Sequence, residues 1–290
     1  MNSGNYLLID GVLRPDALRQ LYQRGEPLSI KPLFLSTRWE ALKEQGPILV
    51  QAHAPSRLME EWRTSPAQHL DASALYSPAP AQTVAEHLRR FIAPPDHLGQ
   101  CSLLRFADPV VLHHWLSSYS GDNLTRLLGP IEHLWVREPV HTWQSAPRAP
   151  FTSFTRQGPP RAWTPDAALL AEAQLTALKQ ASWWLYKERL YKWLNALDAS
   201  TFADKTGSQV DSWLTHALDG AEQWGLYTQY GIAIWAELSQ LWGLDFMDVK
   251  DGPYQQWLSE HPEETRLAPE MRIEALDRFR GRLHRPAHSE

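Results

Sequence analysis

The run LLRFADPVVLHHWL at residues 103–116 carries Arg105 and Asp108 inside an otherwise apolar stretch, with two adjacent histidines, His113 and His114, after them. These side chains could supply a general base, a metal ligand set or a buried ion pair, and their spacing separates the three. Successive residues on a helix point about 100° apart, so His113 and His114 diverge and cannot easily chelate one ion together. His53, His87 and His97 lie near no carboxylate at ligand spacing, and no HExxH occurs. No GxSxG elbow, GxxxxGK[ST] loop or strand-borne GxGxxG is present, so no cofactor is expected. A triad built from distant residues stays open, although nothing points to one. The single cysteine, Cys101, excludes an internal disulfide and a cysteine-based metal cluster. It reads as a small core residue at the start of a strand.

The charges read as structural. Leu103, Leu104 and Phe106 suit a strand covered on both faces, and from Pro109 onward Val111, Leu112, Trp115 and Leu116 fall at helical spacing. Asp108 is then the N-cap, with Pro109 at the first helical position, where its missing N–H costs nothing. A guanidinium on a central strand needs a carboxylate or several carbonyls. Asp108, Asp10 and Glu132 are the available partners for Arg105, and a structural ion pair at the strand end is expected; a ligand-binding arginine is the alternative.

Those residues sit in a series of alternating elements. Strand-like YLLID (6–10), GPILVQA (46–52), ASALYS (72–77), CSLLRFA (101–107) and IEHLWVRE (131–138) are separated by helical patterns that begin near Pro15, Ser56, Ala81 and Pro109. The pattern predicts an α/β (or α+β) N-terminal lobe over 1–140, with a central sheet flanked by helices. Residues 141–165 hold five prolines, three arginines and no acid, and read as a stiff linker. Thr164 caps the next helix, and an all-helical lobe is predicted for 166–290, with helices near 166–197, 207–223, 226–242 and 268–282. Gly225 and Gly243 are helix stops.

Charge follows the same division: −1 over 1–140, +3 over 141–165 and −7 over 166–290. The basic strap is compatible with docking onto the acidic lobe, and equally with a basic partner. The whole chain, at −5 with a pI near 6.2, is not built as a general nucleic-acid binder. The N-terminus lacks the pattern of a signal peptide, and no apolar stretch reaches the length of a membrane span, so the expected location is the cytoplasm.

Eight of the 14 tryptophans fall between 183 and 257. Trp213, Trp224 and Trp235 recur every eleven residues, which on one helix would form a stripe. Gly220 and Gly225 argue instead for two facing helices with an aromatic core. The competing reading is a groove for an apolar peptide or helix. Trp183–Trp184 point about 100° apart, so one of them is a candidate for exposure. Trp183, Trp224, Tyr227 and Tyr230 are named as candidate partner contacts.

The order of YLLIDG, GPILV, HLRRF, LLRFADPVVLHHWL and LGPIEHLWV over residues 5–136 resembles the effector-chaperone (adaptor) family of bacterial type VI secretion, the Tap/TEC-like proteins. The Arg-Phe-x-Asp-Pro core after His-Leu-Arg is the most specific element, and Ala107 departs from an aromatic often found before Asp-Pro. The resemblance implies a cytoplasmic, non-catalytic adaptor. Such a protein would bind one effector through that effector's N-terminal delivery segment and load it onto the VgrG spike. The family supplies no catalytic residues to carry over. An immunity-type inhibitor and a hydrolase with dispersed residues are the alternatives.

Overall fold

The computed structural model describes residues 4–144 and 150–283. In chain order the first elements are β1 (Tyr6–Asp10), α1 (Ala17–Gln23), β2 (Leu28–Pro32), β3 (Pro47–Ala52), α2 (Arg57–Thr64), β4 (Ala72–Tyr76), α3 (Ala81–Arg89), α4 (Pro109–Ser117), α5 (Gly121–Leu128), β5 (His133–Arg137) and β6 (Phe151–Thr155). They build one six-stranded sheet in the order β2-β3-β1-β4-β5-β6, with every pair antiparallel. Of the two predicted classes the lobe is therefore α+β. Alternation of helix and strand suggests parallel crossovers, but none of the neighbouring strands runs parallel.

Burial explains why β1 and β3 read as continuous apolar runs. Tyr6, Leu8, Leu49, Leu75 and Leu134 face one side, where Val84 and Leu88 of α3, Trp115 of α4 and Leu127 of α5 cover them. Leu7, Ile9, Ile48 and Val50 face the other side and are covered by Leu21 of α1 and by Leu58 and Trp62 of α2. An antiparallel sheet commonly leaves one face wet. This one is covered on both, so period-2 alternation disappears from its central strands.

Residues 101–107 are not a strand. They run without regular structure between α3 and α4, apart from a single bridge from Cys101 to Pro95. Leu104 donates its N–H to the Ile92 carbonyl at 2.8 Å, and Leu104 and Phe106 are buried by packing alone. A short apolar run signals burial and not ladder pairing, which is why it resembles a strand. Cys101 is exposed, so it is not a core residue.

The segment expected as a linker also carries structure. Its residues 151–155 form β6 against β5, Arg156 pairs with Glu132 at 3.2 Å and Arg161 pairs with Asp122 at 3.0 Å. Both arginines thus find acids within the sheet lobe. Arg148 lies outside the described residues.

The predicted helix from 166 begins later. Thr164 precedes a short 3-10 turn at Pro165–Ala168, and Leu169 is extended, so that Leu170 bridges to Asp96. The remaining elements are α6 (Glu172–Leu197), α7 (Ser200–Ala203), α8 (Gly207–Trp224), α9 (Gln229–Trp242), α10 (Pro253–Glu260) and α11 (Pro269–Leu283). The chain divides into two compact units, Met1–Val140 with Ala146–Trp183, and His141–Ser145 with Trp184–Glu290. The division falls inside α6.

In the second unit α8 and α9 are joined by a turn in which Gly225 adopts φ +93°, a left-handed cap that a side chain would strain. Its N–H and that of Leu226 satisfy the last carbonyls of α8. Trp235 is buried with its ring 5.5 Å from Trp224 and 4.9 Å from Phe246. Gly220 permits this approach, since a Cβ there would lie 3.3 Å from the Trp235 ring. No helix among the described residues is long and apolar enough to cross a membrane.

Candidate protein-contact surfaces

Asp108 stands at the N-cap of α4, its Oδ1 accepting from the Val110 amide at 2.9 Å, and Pro109 occupies the first helical position. Arg105 reaches back across the fold to Asp10 at the end of β1, donating from Nη2 to Oδ2 at 3.1 Å and to Oδ1 at 3.2 Å. Its distance to Asp108 Oδ2 is 3.4 Å. Asp10 also accepts from the amides of Val12 and Leu13 at 2.8 and 3.0 Å. Glu132, the third acid proposed for Arg105, pairs with Arg156 instead.

The triad is asymmetric. Both carboxylates are buried, whereas the Arg105 side chain is 40% exposed. Burial pushes the Asp108 carboxyl up, Arg105 pulling it down and Asp10 adding to the rise. Beside Arg105 lies a hollow of about 80 Å³ rimmed by exposed Val12, Leu42 and Leu103. This corner therefore offers a fixed cation inside an apolar margin, a composition suited to contact with another protein.

The α8–α9 turn presents a second surface. Thr228 caps α9, accepting from the Gly231 amide at 3.0 Å. Glu270, from the first turn of α11, locks the turn: its Oε1 accepts from the Tyr227 and Thr228 amides at 2.7 and 2.8 Å, and its Oε2 from the Thr228 hydroxyl at 2.7 Å. Burial raises the Glu270 carboxyl, but these three hydrogen bonds outweigh it and leave the group lowered. Tyr227 and Tyr230 project from this turn at 80% and 63% exposure, and Met271 is also exposed. The turn brings Trp224 near them in sequence, but Trp224 is half-buried, packed on Trp235 with the Arg272 guanidinium 4.3 Å from its ring centre. It is a wall of the core more than a free contact. Trp183 is exposed on α6 and belongs to the other unit.

Glu270 was not legible as a site residue. The Pro269–Glu270 start signals a helix, but no local pattern says which turn that helix will cap.

Several of the described histidines are tied to structure. His87 is buried beside the Leu127 carbonyl at 2.8 Å, and burial lowers its pKa to about 4. His69 lies 2.6 Å from the Trp62 carbonyl, and His113 3.0 Å from the Thr152 hydroxyl. Among the described residues no group of three or more His, Cys, Asp or Glu is placed to hold a metal.

One polar cluster of the helical unit escaped the sequence. His141 lies between the rings of Trp143 and Trp184, at 4.1 and 4.3 Å and nearly parallel to both, with Nδ1 3.2 Å from Glu188 Oε2. The Thr142 amide donates to the same oxygen at 3.2 Å, and Lys192 pairs with Oε1 at 3.1 Å. Burial alone would raise the Glu188 carboxyl. Its partners His141, Thr142 and Lys192 win and hold it at about 2.

In the sheet unit, small residues Gly4, Ala52 and Ala74 leave a hollow of about 700 Å³ against Trp135, Met59 and Trp62.

The sheet lobe thus carries an Asp–Arg–Asp corner whose two carboxylates are buried, and the helical unit carries two exposed tyrosines at a braced turn. Residues 5–126 match the family described as a domain of unknown function, DUF4123. Over 113 residues the chain is also 30% identical to "Accessory protein VasW" of Vibrio cholerae serotype O1 (strain ATCC 39315 / El Tor Inaba N16961). That match covers 39% of this chain and only 37% of the relative's length. No solved structure matches significantly.

Proposed function

We propose that this protein is a cytoplasmic adaptor that binds a type VI secretion effector, through the effector's N-terminal delivery segment, and promotes its loading onto the VgrG spike. The match of residues 5–126 to DUF4123, together with the motifs that resemble the adaptor family, carries the reading. The exposed tyrosines support it. An aromatic pair on a turn braced by Glu270 offers contact area with little ordering cost on binding. The adaptor reading assigns the chain no turnover and no cofactor, since its work is holding and handing over.

The test is co-expression of the full chain with a type VI effector and a VgrG spike from the same source, followed by pull-down. Retention of both partners is expected. Retention of neither overturns the adaptor, and capture of only the toxin's catalytic domain makes the protein an immunity-type inhibitor.

A further inference from the structure

We infer that the outer edge of β6 takes up an extended, uncharged segment of a partner protein as a seventh strand. The inference rests on the adaptor reading only for the partner's identity, since the edge chemistry stands alone.

The register fixes which backbone groups are free. Arg156 donates to the Glu132 carbonyl and Glu138 to the Pro150 carbonyl, so the even-numbered residues of β6 face β5. The N–H and C=O groups of Phe151, Ser153 and Thr155 then point away from the sheet. Among the described residues no hydrogen bond reaches them. Such a row is satisfied by water or by another strand.

The two edges of the sheet differ. β2, at the opposite edge, carries Lys31 and Pro32, two residue types that discourage strand addition. β6 reads FTSFT, with neither charge nor proline. Its outward residues Ser153 and Thr155 are exposed.

The side chains say what would sit there. Ser153 lies directly opposite Trp135 on β5, which in turn lies opposite Ala74 on β4. Paired residues share a face, so the half-buried Trp135 indole is flanked by two small side chains. An incoming residue opposite Ser153 can pass over that small side chain and reach the indole. The favoured occupant is a β-forming segment with a large apolar or aromatic residue at that position and no charge beside it. Main-chain hydrogen bonds supply affinity, and the Trp135 shelf supplies the choice of side chain.

The experiment uses the full chain, isotope-labelled for NMR, titrated with the capped peptide Thr-Val-Thr-Phe-Thr-Val-Thr and with a version in which both valines are proline. Saturable shifts at the Phe151, Ser153 and Thr155 amides and at the Trp135 indole are expected with the first peptide and none with the second. Amide exchange at those three residues should slow at least 5-fold while Thr152 and Phe154 stay unchanged. Ser153→Pro removes an outward donor without touching β5 pairing, and Thr155→Lys adds a charge to the edge. Each should weaken binding at least 10-fold; if the proline variant fails to fold, the lysine variant decides.

Unchanged affinity in a folded variant overturns the proposal. So does exchange at the three outward amides as slow as at Thr152 and Phe154 in the free chain, and so does protection that grows with protein concentration, which would make a second copy the occupant. A positive titration beside a failed effector pull-down sinks the adaptor reading alone. An intact pull-down with no peptide effect sinks the edge alone.

Discussion

The two units solve the problem of a buried carboxylate in opposite ways. In the sheet unit Asp108 is pushed up by burial although Arg105 lies 3.4 Å away, and the Arg105 side chain is partly exposed. In the helical unit Glu188 is surrounded by donors and held at about 2, under a histidine stacked between two indoles. The first arrangement leaves charge at the surface beside exposed apolar residues. The second meets its carboxylate with the buried His141 and the Thr142 amide on one oxygen and the exposed Lys192 on the other.

The largest effect expected from breaking this contrast is on packing. Trp235→Ala should cost about 3–5 kcal/mol, because it empties the space between Trp224 and Phe246 that Gly220 was shaped to admit. Chemical denaturation followed by helical circular dichroism measures it. A cost below about 1 kcal/mol would mean that the aromatic row is a groove lining and not a core.

This core was partly legible. The eleven-residue Trp spacing with Gly220 and Gly225 gave two facing helices, and the Asp108–Pro109 pair gave the start of α4. The Arg105–Asp10 pairing was narrowed to three acids, since a charge inside an apolar run must find a partner. What could not be read are contacts that only the closed fold makes: Glu188 with His141, 47 residues apart, and Glu270 under Tyr227, 43 residues apart. β6 was missed because its five residues sit among prolines that signal a strap more strongly than FTSFT signals a strand.

The next effect is smaller and depends on pH. Glu188→Ala should cost about 2–4 kcal/mol near neutrality, by leaving the Thr142 amide and the His141 ring without their acceptor. A carboxyl held at about 2 binds fewer protons in the fold than its unfolded counterpart near 4.5. Its stabilisation is therefore fully present above pH 4.5 and lost as pH falls toward 2. Asp108 has the opposite sign: its raised carboxyl takes up a proton more readily in the fold, so acid does not remove stability through it. Glu188→Gln should flatten the acid loss of stability expected between pH 5 and 2.5. A variant that keeps the wild-type slope would place the acid sensitivity elsewhere.

Asp108→Ala comes third, at about 0.5–2 kcal/mol, the ordinary worth of an N-cap. The Arg105→Ala variant tells whether the corner is scaffold or contact. A lowered melting temperature with partner binding intact makes it scaffold; the reverse makes the exposed guanidinium and its apolar margin a binding site.

The smallest expected change in stability accompanies what should be the largest change in binding. Tyr227 and Tyr230 touch mostly solvent, so Tyr227→Ala and Tyr230→Ala should each move stability by less than about 0.5 kcal/mol. Glu270 fixes the backbone of Tyr227 and Thr228 from α11, and Tyr230 follows in the first turn of α9, so the rings are presented on a turn ordered before any partner arrives. Interfaces concentrate their energy in such rigid aromatics. The double variant should weaken effector capture by at least 10-fold, and Glu270→Gln should weaken it less while loosening the turn. Calorimetric titration beside a melting curve separates the two quantities. If capture survives the loss of both rings with an unchanged melting curve, the helical unit's tyrosines are ordinary surface, and recognition passes to the sheet unit, with its Arg105 corner and open β6 edge.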